Sequence, residues 1–202
     1  MLEHAALSSR RASSHEQPRP WGWNRLLNEE GFRPVRRSAA VVGSVLFLVA
    51  APGTLAGLVP FWISGWHVAP PLVGFVGFRV LGALLMAAGL PVLLDSFARF
   101  ALQGRGTPAP IAPPERLVVT GLYRHVRNPI YVAVTWLIVG QALFFGDVRL
   151  LEYGIGVWAF FHVWVLALEE PGLRAKFGAE YLDFCAHVRR WIPRLKPWRG
   201  PT

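Results

Sequence analysis

Residues 129–168 read PIYVAVTWLIVGQALFFGDVRLLEYGIGVWAFFHVWVLAL, and this stretch decides the fold. It contains two apolar runs, 129–145 and 150–168, which are separated only by residues 146–149. A membrane-spanning helix needs about 20 mostly apolar residues, and both runs come close to that length. So short a connection joins antiparallel neighbours. The sequence therefore predicts a hairpin of two spanning helices.

Two further apolar runs precede the hairpin. The first, residues 38–63, contains no charged residue, and the second covers residues 72–100. Pro52, Gly53 and Pro60 lie inside the first run, where they should kink or break the helix. Neighbouring helices must then satisfy the backbone groups that the prolines leave free. The expected fold is all-α and integral to the membrane, with about four transmembrane helices.

The composition supports a membrane location. Hydrophobic residues make up 53% of the 202 residues and charged residues only 16%, whereas soluble domains carry about 25% charged residues. Cys185 is the single cysteine, so an internal disulfide is excluded and a cysteine-based metal site is not expected. We predict no metal site in this chain.

The basic residues indicate an orientation. They are numerous in residues 1–37 and 103–128 and after residue 170, absent from 64–71, and represented by Arg149 alone in the hairpin loop. This alternation is typical of spans whose N- and C-termini are both cytoplasmic. The net charge of +9 is thus explained by anionic membrane lipids, and nucleic acid is not an expected partner. The excess of Arg over Lys suggests a GC-rich bacterial genome and hence the bacterial inner membrane.

The two ends of the chain differ in pattern. Residues 1–37 are polar and Arg-rich with no apolar core, so they are not a secretory signal peptide. They form either a disordered cytoplasmic tail or a segment that lies on the membrane surface. Residues 171–191 predict an amphipathic helix whose apolar face recurs every three or four residues: Leu173, Phe177, Tyr181, Phe184 and Val188.

A first polar cluster leads into the third span, GLYRHVRNPIY at residues 121–131. Pro129 suits the first turn of a helix, and Asn128 occupies the N-cap position before it. The N–H groups of a helix start attract anions or hydroxyl groups. The alternative is an ordinary capped helix in which Arg124 and Arg127 only mark the inner membrane face.

A second cluster, Glu169 and Glu170, ends the predicted fourth span. Negative charge opposes the dipole at a helix C-terminus, so these carboxylates should need arginine or ligand partners. The alternative is an exposed pair at the start of the next helix. Because of the hairpin, both clusters come to one membrane face. A helix N-terminus, two arginines and two carboxylates are therefore expected to meet.

These motifs resemble the isoprenylcysteine carboxyl methyltransferase and phospholipid methyltransferase family of integral-membrane enzymes. The resemblance covers roughly residues 100–195. In addition, residues 104–108 and 113–114 resemble the corresponding segment of bacterial members of the family. It rests on the following motifs in order: Leu117-Val118, Thr120-Gly121-Leu122-Tyr123, Val126-Arg127-Asn128-Pro129-Ile130-Tyr131, Glu169-Glu170 and Phe177-Gly178-Ala179-Glu180-Tyr181.

The resemblance implies S-adenosylmethionine as the cofactor and a lipophilic methyl acceptor, used at the cytoplasmic face. It divides the chain into a basic segment (1–37), two helices (38–100) and a methyltransferase-like region (101–202). No catalytic residue is identified; Arg127 and Arg124 are candidates for contact with a substrate or cofactor carboxylate. The implied cofactor-binding residues are Leu117, Val118, Tyr123, Asn128, Pro129, Ile130, Tyr131, Glu169 and Glu170.

The chain departs from the family pattern at two positions. Asn128 stands where carboxyl-methylating members usually have His, and Val165 stands where the eukaryotic enzymes have an arginine that engages the substrate. A lipid amine or another hydrophobic compound is therefore as compatible with the sequence as an isoprenoid-linked carboxylate. The rival classes are a non-enzymatic transport or assembly factor and a sterol-type reductase, although no convincing dinucleotide fingerprint is present.

Charged and polar residues inside the spans are interpreted as structural. Arg79 is expected to reach the outer interface. Asp95 and Arg99, four residues apart at the inner end of the second span, are expected to form an ion pair. His162 lies in the middle of the fourth span and is expected to make a hydrogen bond within the packed helices.

Overall fold

The computed structural model describes residues 37–103 and 116–200. The predictions for residues 1–36, and the likeness of 104–108 and 113–114 to bacterial proteins, lie outside the described residues. The described chain is all helical, without strands, which confirms the predicted fold class. Apolar side chains from three helical runs form its core around Leu93, Phe97, Ile138, Val157 and Phe161.

The first apolar run is one helical stretch with a change of helix type. Helix α1 (Arg37–Leu48) passes into a π-helical segment (Val49–Leu58) and then into α2 (Val59–Ser64). Pro60 has no N–H, so it cannot bond Ala56 in α-helical register or Leu55 in π-helical register.

Neighbouring helices supply the missing donors to these two carbonyls. Gln141 Nε2 donates to the Ala56 carbonyl at 2.7 Å, and the Tyr153 hydroxyl donates to the Leu55 carbonyl at 3.0 Å. The expectation that packing satisfies the backbone freed by proline is confirmed. It also explains a buried glutamine within an apolar helix.

Helix α3 (Gly77–Gln103) follows a 3₁₀ turn (Leu72–Gly74) and packs mainly against α4 (Pro129–Phe145). The two backbones approach closely where Gly82 faces Gly140. A Cβ on Gly82 would lie 2.5 Å from the Gly140 carbonyl oxygen and 2.7 Å from the Phe144 nitrogen. Glycine at this crossing therefore allows the contact, as small residues do between membrane helices.

The predicted hairpin is confirmed. Helix α4 ends at Phe145. Gly146 follows in the left-handed conformation (φ 74°), and α5 (Val148–Trp164) begins after Asp147. Asp147 caps α5 by accepting a hydrogen bond from the Arg149 backbone nitrogen at 2.9 Å. Only two residues connect the helices, so they must run antiparallel.

The fourth run continues into the terminal helix, contrary to expectation. Helix α5 passes through a π-helical turn (Val165–Glu169) into α6 (Glu170–His187), with no break at residue 168. Glu169 and Glu170 therefore do not lie at a helix C-terminus, and the prediction that they oppose its dipole is wrong. Pro171 lies in the first turn of α6, where its missing N–H is tolerated.

Within residues 37–103 and 116–200, three helical stretches are long and apolar enough to cross a membrane: Val41–Ser64, Gly77–Arg99 and Val148–His187. The fourth predicted span, α4, has 17 residues and is about 26 Å long at 1.5 Å per residue. It is thus shorter than a full span, although it lies at the centre of the helix packing. The integral-membrane class is confirmed, while the cytoplasmic location of the termini stays a prediction.

Candidate functional site

The two polar clusters meet at one end of the helix packing, where α4 begins and α5 passes into α6. A C-terminal tail, residues 188–198, folds back over this end. Its backbone forms three hydrogen bonds of 2.9 Å with the segment before α4: Arg127 N to Arg189 O, Arg194 N to His125 O, and Trp198 N to Arg124 O. The tail therefore fixes the backbone that carries the first cluster.

Glu170 is the centre of an ion-pair network. Its side chain is nearly buried, with the residue 3% exposed. It accepts hydrogen bonds from Arg127 Nη1 at 2.9 Å, Arg190 Nε at 2.6 Å and Arg190 Nη2 at 3.0 Å. Arg174 adds a longer contact of 3.5 Å. The network joins the start of α4, the start of α6 and the tail.

Arginine side chains donate hydrogen bonds to both carboxylate oxygens of Glu170, so the carboxylate also fixes the positions of the arginines. The hydrogen bond to Glu170 raises the pKa of the Arg190 guanidinium above its usual range. Arg127 Nη1 also contacts Cys185 Sγ at 2.9 Å. The predicted need for arginine partners is thus met for Glu170.

Glu169 has a different environment. Its Oε2 accepts a hydrogen bond from the Tyr131 hydroxyl at 2.8 Å, and its side chain remains partly exposed. Within the described parts of the chain, Oε1 has no hydrogen-bond donor. The Tyr131 ring is held by Phe161 (centroids 4.6 Å apart) and by Trp191 of the tail (6.5 Å). Glu169 therefore presents one carboxylate oxygen from a fixed position.

His162 supports this position through the tail. Trp191 Nε1 donates to His162 Nδ1 at 3.0 Å. Because an indole N–H only donates, Nδ1 must be the unprotonated nitrogen of this ring. The predicted hydrogen-bonded packing role of His162 is confirmed. The contact also locates Trp191 against Tyr131.

The start of α4 matches the predicted N-cap and first-turn positions. Asn128 occupies the N-cap position and Pro129 the first turn, but the Asn128 side chain makes no capping hydrogen bond. Its Nδ2 instead donates to the Arg190 carbonyl at 3.3 Å. The first N–H groups of the helix, those of Ile130 and Tyr131, have no intrahelical acceptor because they lie in its first turn.

Tyr123 lies in a 3₁₀ turn (Gly121–Arg124) and is buried. Burial raises the pKa of the Tyr123 phenol above its usual range, and the nearby carboxylates of Glu169 and Asp95 add to this effect. The phenol therefore stays neutral at physiological pH.

Arg124 and His125 complete the turn and contact the tail. Arg124 Nε donates to the Trp198 carbonyl, and His125 Nδ1 lies 2.8 Å from the Arg194 carbonyl. Because a carbonyl only accepts, Nδ1 of His125 carries the proton. These contacts place Arg124 on the tail side of the turn, so it does not join the Glu170 network.

Leu117 belongs to the packing around α6. Val118 is buried, and Leu117 packs against a cluster of Tyr181, Phe184, Val188 and Trp198. Leu173 and Phe177 pack against the same cluster. The predicted apolar face of the terminal helix is therefore confirmed, and it faces the protein.

A cavity lies near this site. It has a volume of about 500 Å³ and opens between the last turns of α3, the Gly121–Arg124 turn and Pro197. A narrower cavity of about 160 Å³ shares Val92, Leu122 and His125 with it and extends to Trp136. Glu169 and Tyr131 line neither cavity. The two cavities and the Glu169 carboxylate therefore lie at different places. We assign the candidate site to Glu169 because of its hydrogen-bonding groups and not because of cavity volume.

Sequence reasoning missed the residues of the tail. Arg190 is the closest partner of Glu170, and Trp191 orders both Tyr131 and His162. In the sequence, the arginines of this tail indicated only membrane orientation. The useful signal was the pair of tryptophans, Trp191 and Trp198, in a short proline-containing segment, which is unusual for a solvated tail.

The sequence was compared with known proteins. The sequence model of the phospholipid methyltransferase (PEMT) family matches residues 78–180, about half of the chain. This range contains most of α3, the Gly121–Arg124 turn, the hairpin and both glutamates, and it ends before the tail. No curated protein matches the chain.

Proposed function

Because the chain belongs to the phospholipid methyltransferase family, and is thus a membrane methyltransferase in general, we propose that it transfers a methyl group from S-adenosylmethionine to a lipid acceptor at the cytoplasmic face. The observation that supports this most is the Tyr131–Glu169 hydrogen bond of 2.8 Å. It holds a carboxylate beside the first turn of α4 and leaves one oxygen open.

The residues present fit the proposed cofactor. S-adenosylmethionine carries an ammonium, a carboxylate and ribose hydroxyls. Glu169 Oε1 can accept from the ammonium or a hydroxyl. The first-turn N–H groups of Ile130 and Tyr131 can donate to the carboxylate. When bound, the cofactor supplies a methyl group on a sulfonium, which passes to the lone pair of the acceptor while the C–S electron pair returns to sulfur.

The remaining site residues support this arrangement. Glu170, Arg127 and Arg190 hold the start of α4 against the α5–α6 junction. We therefore propose that these three residues position the site. Arg127 and Glu170 act indirectly, by holding Glu169 and the start of α4 in place. Leu117, Val118, Tyr123, Asn128 and Pro129 form the packed surroundings. Methyl transfer needs alignment more than an acid–base pair, so a rigid frame is the main requirement.

An amine-bearing lipid is the favoured acceptor. Val165 is 1% exposed and part of the helix core, so this position offers neither a charge nor a surface to a carboxylate substrate. That argues against an isoprenoid-linked carboxylate. The basic segments that surround the site support the proposed cytoplasmic location, which in a bacterium is the inner face of the inner membrane.

The proposal is tested by calorimetry of the purified protein in detergent with S-adenosylmethionine. We expect saturable binding to the wild type. Glu169→Gln should weaken it about tenfold or more, because it removes a charged hydrogen-bond acceptor. Glu180→Gln, an exposed change on α6, should leave binding unchanged.

The absence of a binding heat for the wild type at millimolar S-adenosylmethionine would overturn the enzyme proposal. It would favour the alternative, a non-enzymatic transport or assembly factor with the same fold. Equal weakening in Glu169→Gln and Glu180→Gln would refute the assignment of Glu169.

A further inference from the structure

The C-terminal tail, residues 188–198, carries side chains of two kinds. Arg190, Trp191 and Trp198 face the protein and form the contacts described above. Between the two tryptophans, Ile192 is 62% exposed and Leu195 is 97% exposed. The candidate site accounts for the side chains that face the protein. It does not use the outward surface of the tail, which includes these two large apolar side chains.

The outward surface is also basic. Arg189 and Lys196 are exposed, as is Arg199 directly after the tail. Within residues 37–103 and 116–200, none of these three side chains has an ion-pair partner. Residues 188–200 include no acidic residue. The surface therefore combines three free positive charges with two apolar side chains.

The tail lies beside the apolar part of α5. Trp191 Nε1 donates to His162 Nδ1 at 3.0 Å, and His162 precedes Glu169 by seven residues, which is about 10 Å along a helix. At this level of α5, Phe160 and Val163 are exposed, and the helix belongs to a stretch that is apolar enough to cross a membrane. Tryptophan favours the boundary between headgroups and hydrocarbon. The tail therefore reaches the level at which the bilayer begins.

An anionic bilayer surface fits this combination of charge, apolar side chains and depth. Each basic residue near anionic headgroups strengthens binding by about fivefold, and exposed Leu and Ile side chains gain by entering the acyl layer. A soluble acidic protein would match the charges but not the depth of Trp191. A second copy of this chain would bring the same positive charge to the surface, which opposes association.

We propose that the outward surface of the tail binds anionic phospholipid of the leaflet beside it. Arg189, Lys196 and Arg199 bind the anionic headgroups, while Ile192 and Leu195 enter the acyl layer. The lipid is here a docking surface and not the methyl acceptor, so the inference goes beyond the proposed function.

Quenching of a single fluorophore by brominated lipid tests this docking. Cys185→Ser removes the single cysteine of the chain, and Leu195→Cys then carries a bimane label. The full-length protein is reconstituted into bilayers of equal amounts of phosphatidylcholine and phosphatidylglycerol, with bromine on the acyl chains of one lipid at a time. We expect brominated phosphatidylglycerol to quench the label about fivefold more effectively than brominated phosphatidylcholine.

The hairpin loop supplies a matched control. Val148→Cys in the same background places the label at an exposed position at the other end of α5, where Arg149 is paired with Asp147 at 2.7 Å. There the two brominated lipids should quench equally. In the protein labelled on the tail, Lys196→Gln combined with Arg199→Gln should remove the preference for phosphatidylglycerol, whereas Arg149→Gln should keep it.

Two results would overturn the inference. An absence of quenching at residue 195 by either lipid would place the tail in water or against another protein. Equal quenching by both lipids at residue 195 would show insertion without binding of anionic headgroups. Because the measurement uses no S-adenosylmethionine, its outcome is independent of the proposed function.

Discussion

Removal of the Glu170 carboxylate is the sharpest test of how the site is held together. Glu170 is 3% exposed and binds Arg127 and Arg190 at 2.6 to 3.0 Å. Glu170→Ala leaves two adjacent guanidinium groups without their anion, and the Arg127 side chain is only 11% exposed. Breaking one side of a buried ion pair costs about 3–5 kcal/mol, and we expect the free energy of unfolding to fall by that amount.

The assay is equilibrium unfolding of the purified protein in mixed micelles of mild detergent and dodecyl sulfate. Arg174→Ala is the matched control in the same network, because Arg174 is 55% exposed and 3.5 Å from Glu170. A surface pair contributes about 0–1 kcal/mol, so this variant should unfold almost as the wild type does. A loss below about 1 kcal/mol for Glu170→Ala would refute the view that the network holds α4, α6 and the tail together.

Two further predictions concern the helix packing, with the same unfolding assay. Gly82→Ala should lower the free energy of unfolding by about 1–3 kcal/mol, because the new Cβ meets backbone atoms of α4 that cannot rotate away. The control, Gly156→Ala, has no atom within 4 Å of its new Cβ and should be neutral. Equal effects of the two variants would contradict the close contact at Gly82. Gln141→Leu should cost about 1–2 kcal/mol, because the Ala56 carbonyl loses its donor and Trp66 Nε1 its acceptor. Thr135→Val removes a hydroxyl that donates to the Tyr131 carbonyl within α4 and should change the free energy of unfolding little. A neutral Gln141→Leu would show that the freed carbonyl finds another donor.

The helices and their pairing were predictable from the sequence. The two-residue connection at Gly146 and Asp147 forces α4 and α5 to be antiparallel. Tyr131, near the start of α4, and Glu169, after the end of α5, must then lie at the same end. Pro60 in an apolar helix required donors from elsewhere, and Gln141 and Tyr153 supply them. Each of these inferences depends on local geometry that the sequence specifies.

The tail and the helix junction were not predictable in the same way. A Glu-Glu-Pro sequence is compatible both with the end of one helix and with a turn that continues into the next. The π-helical turn at Val165–Glu169 decides between them by packing. Arg190 and Trp191 bind partners 20 and 29 positions earlier in the chain, and such contacts have no periodicity. The cavity against α3 likewise arises from how the Gly121–Arg124 turn packs.

The central claim, a membrane methyltransferase that acts on lipid, is tested most directly by following the methyl group. The purified protein is reconstituted into vesicles of phosphatidylethanolamine and phosphatidylglycerol and incubated with S-adenosylmethionine labelled in its methyl group. The account predicts label in the N-methylated derivatives of phosphatidylethanolamine, strongly reduced in Glu169→Gln. Recovery of all label in the unreacted cofactor, or equal labelling by the wild type and Glu169→Gln, would contradict it.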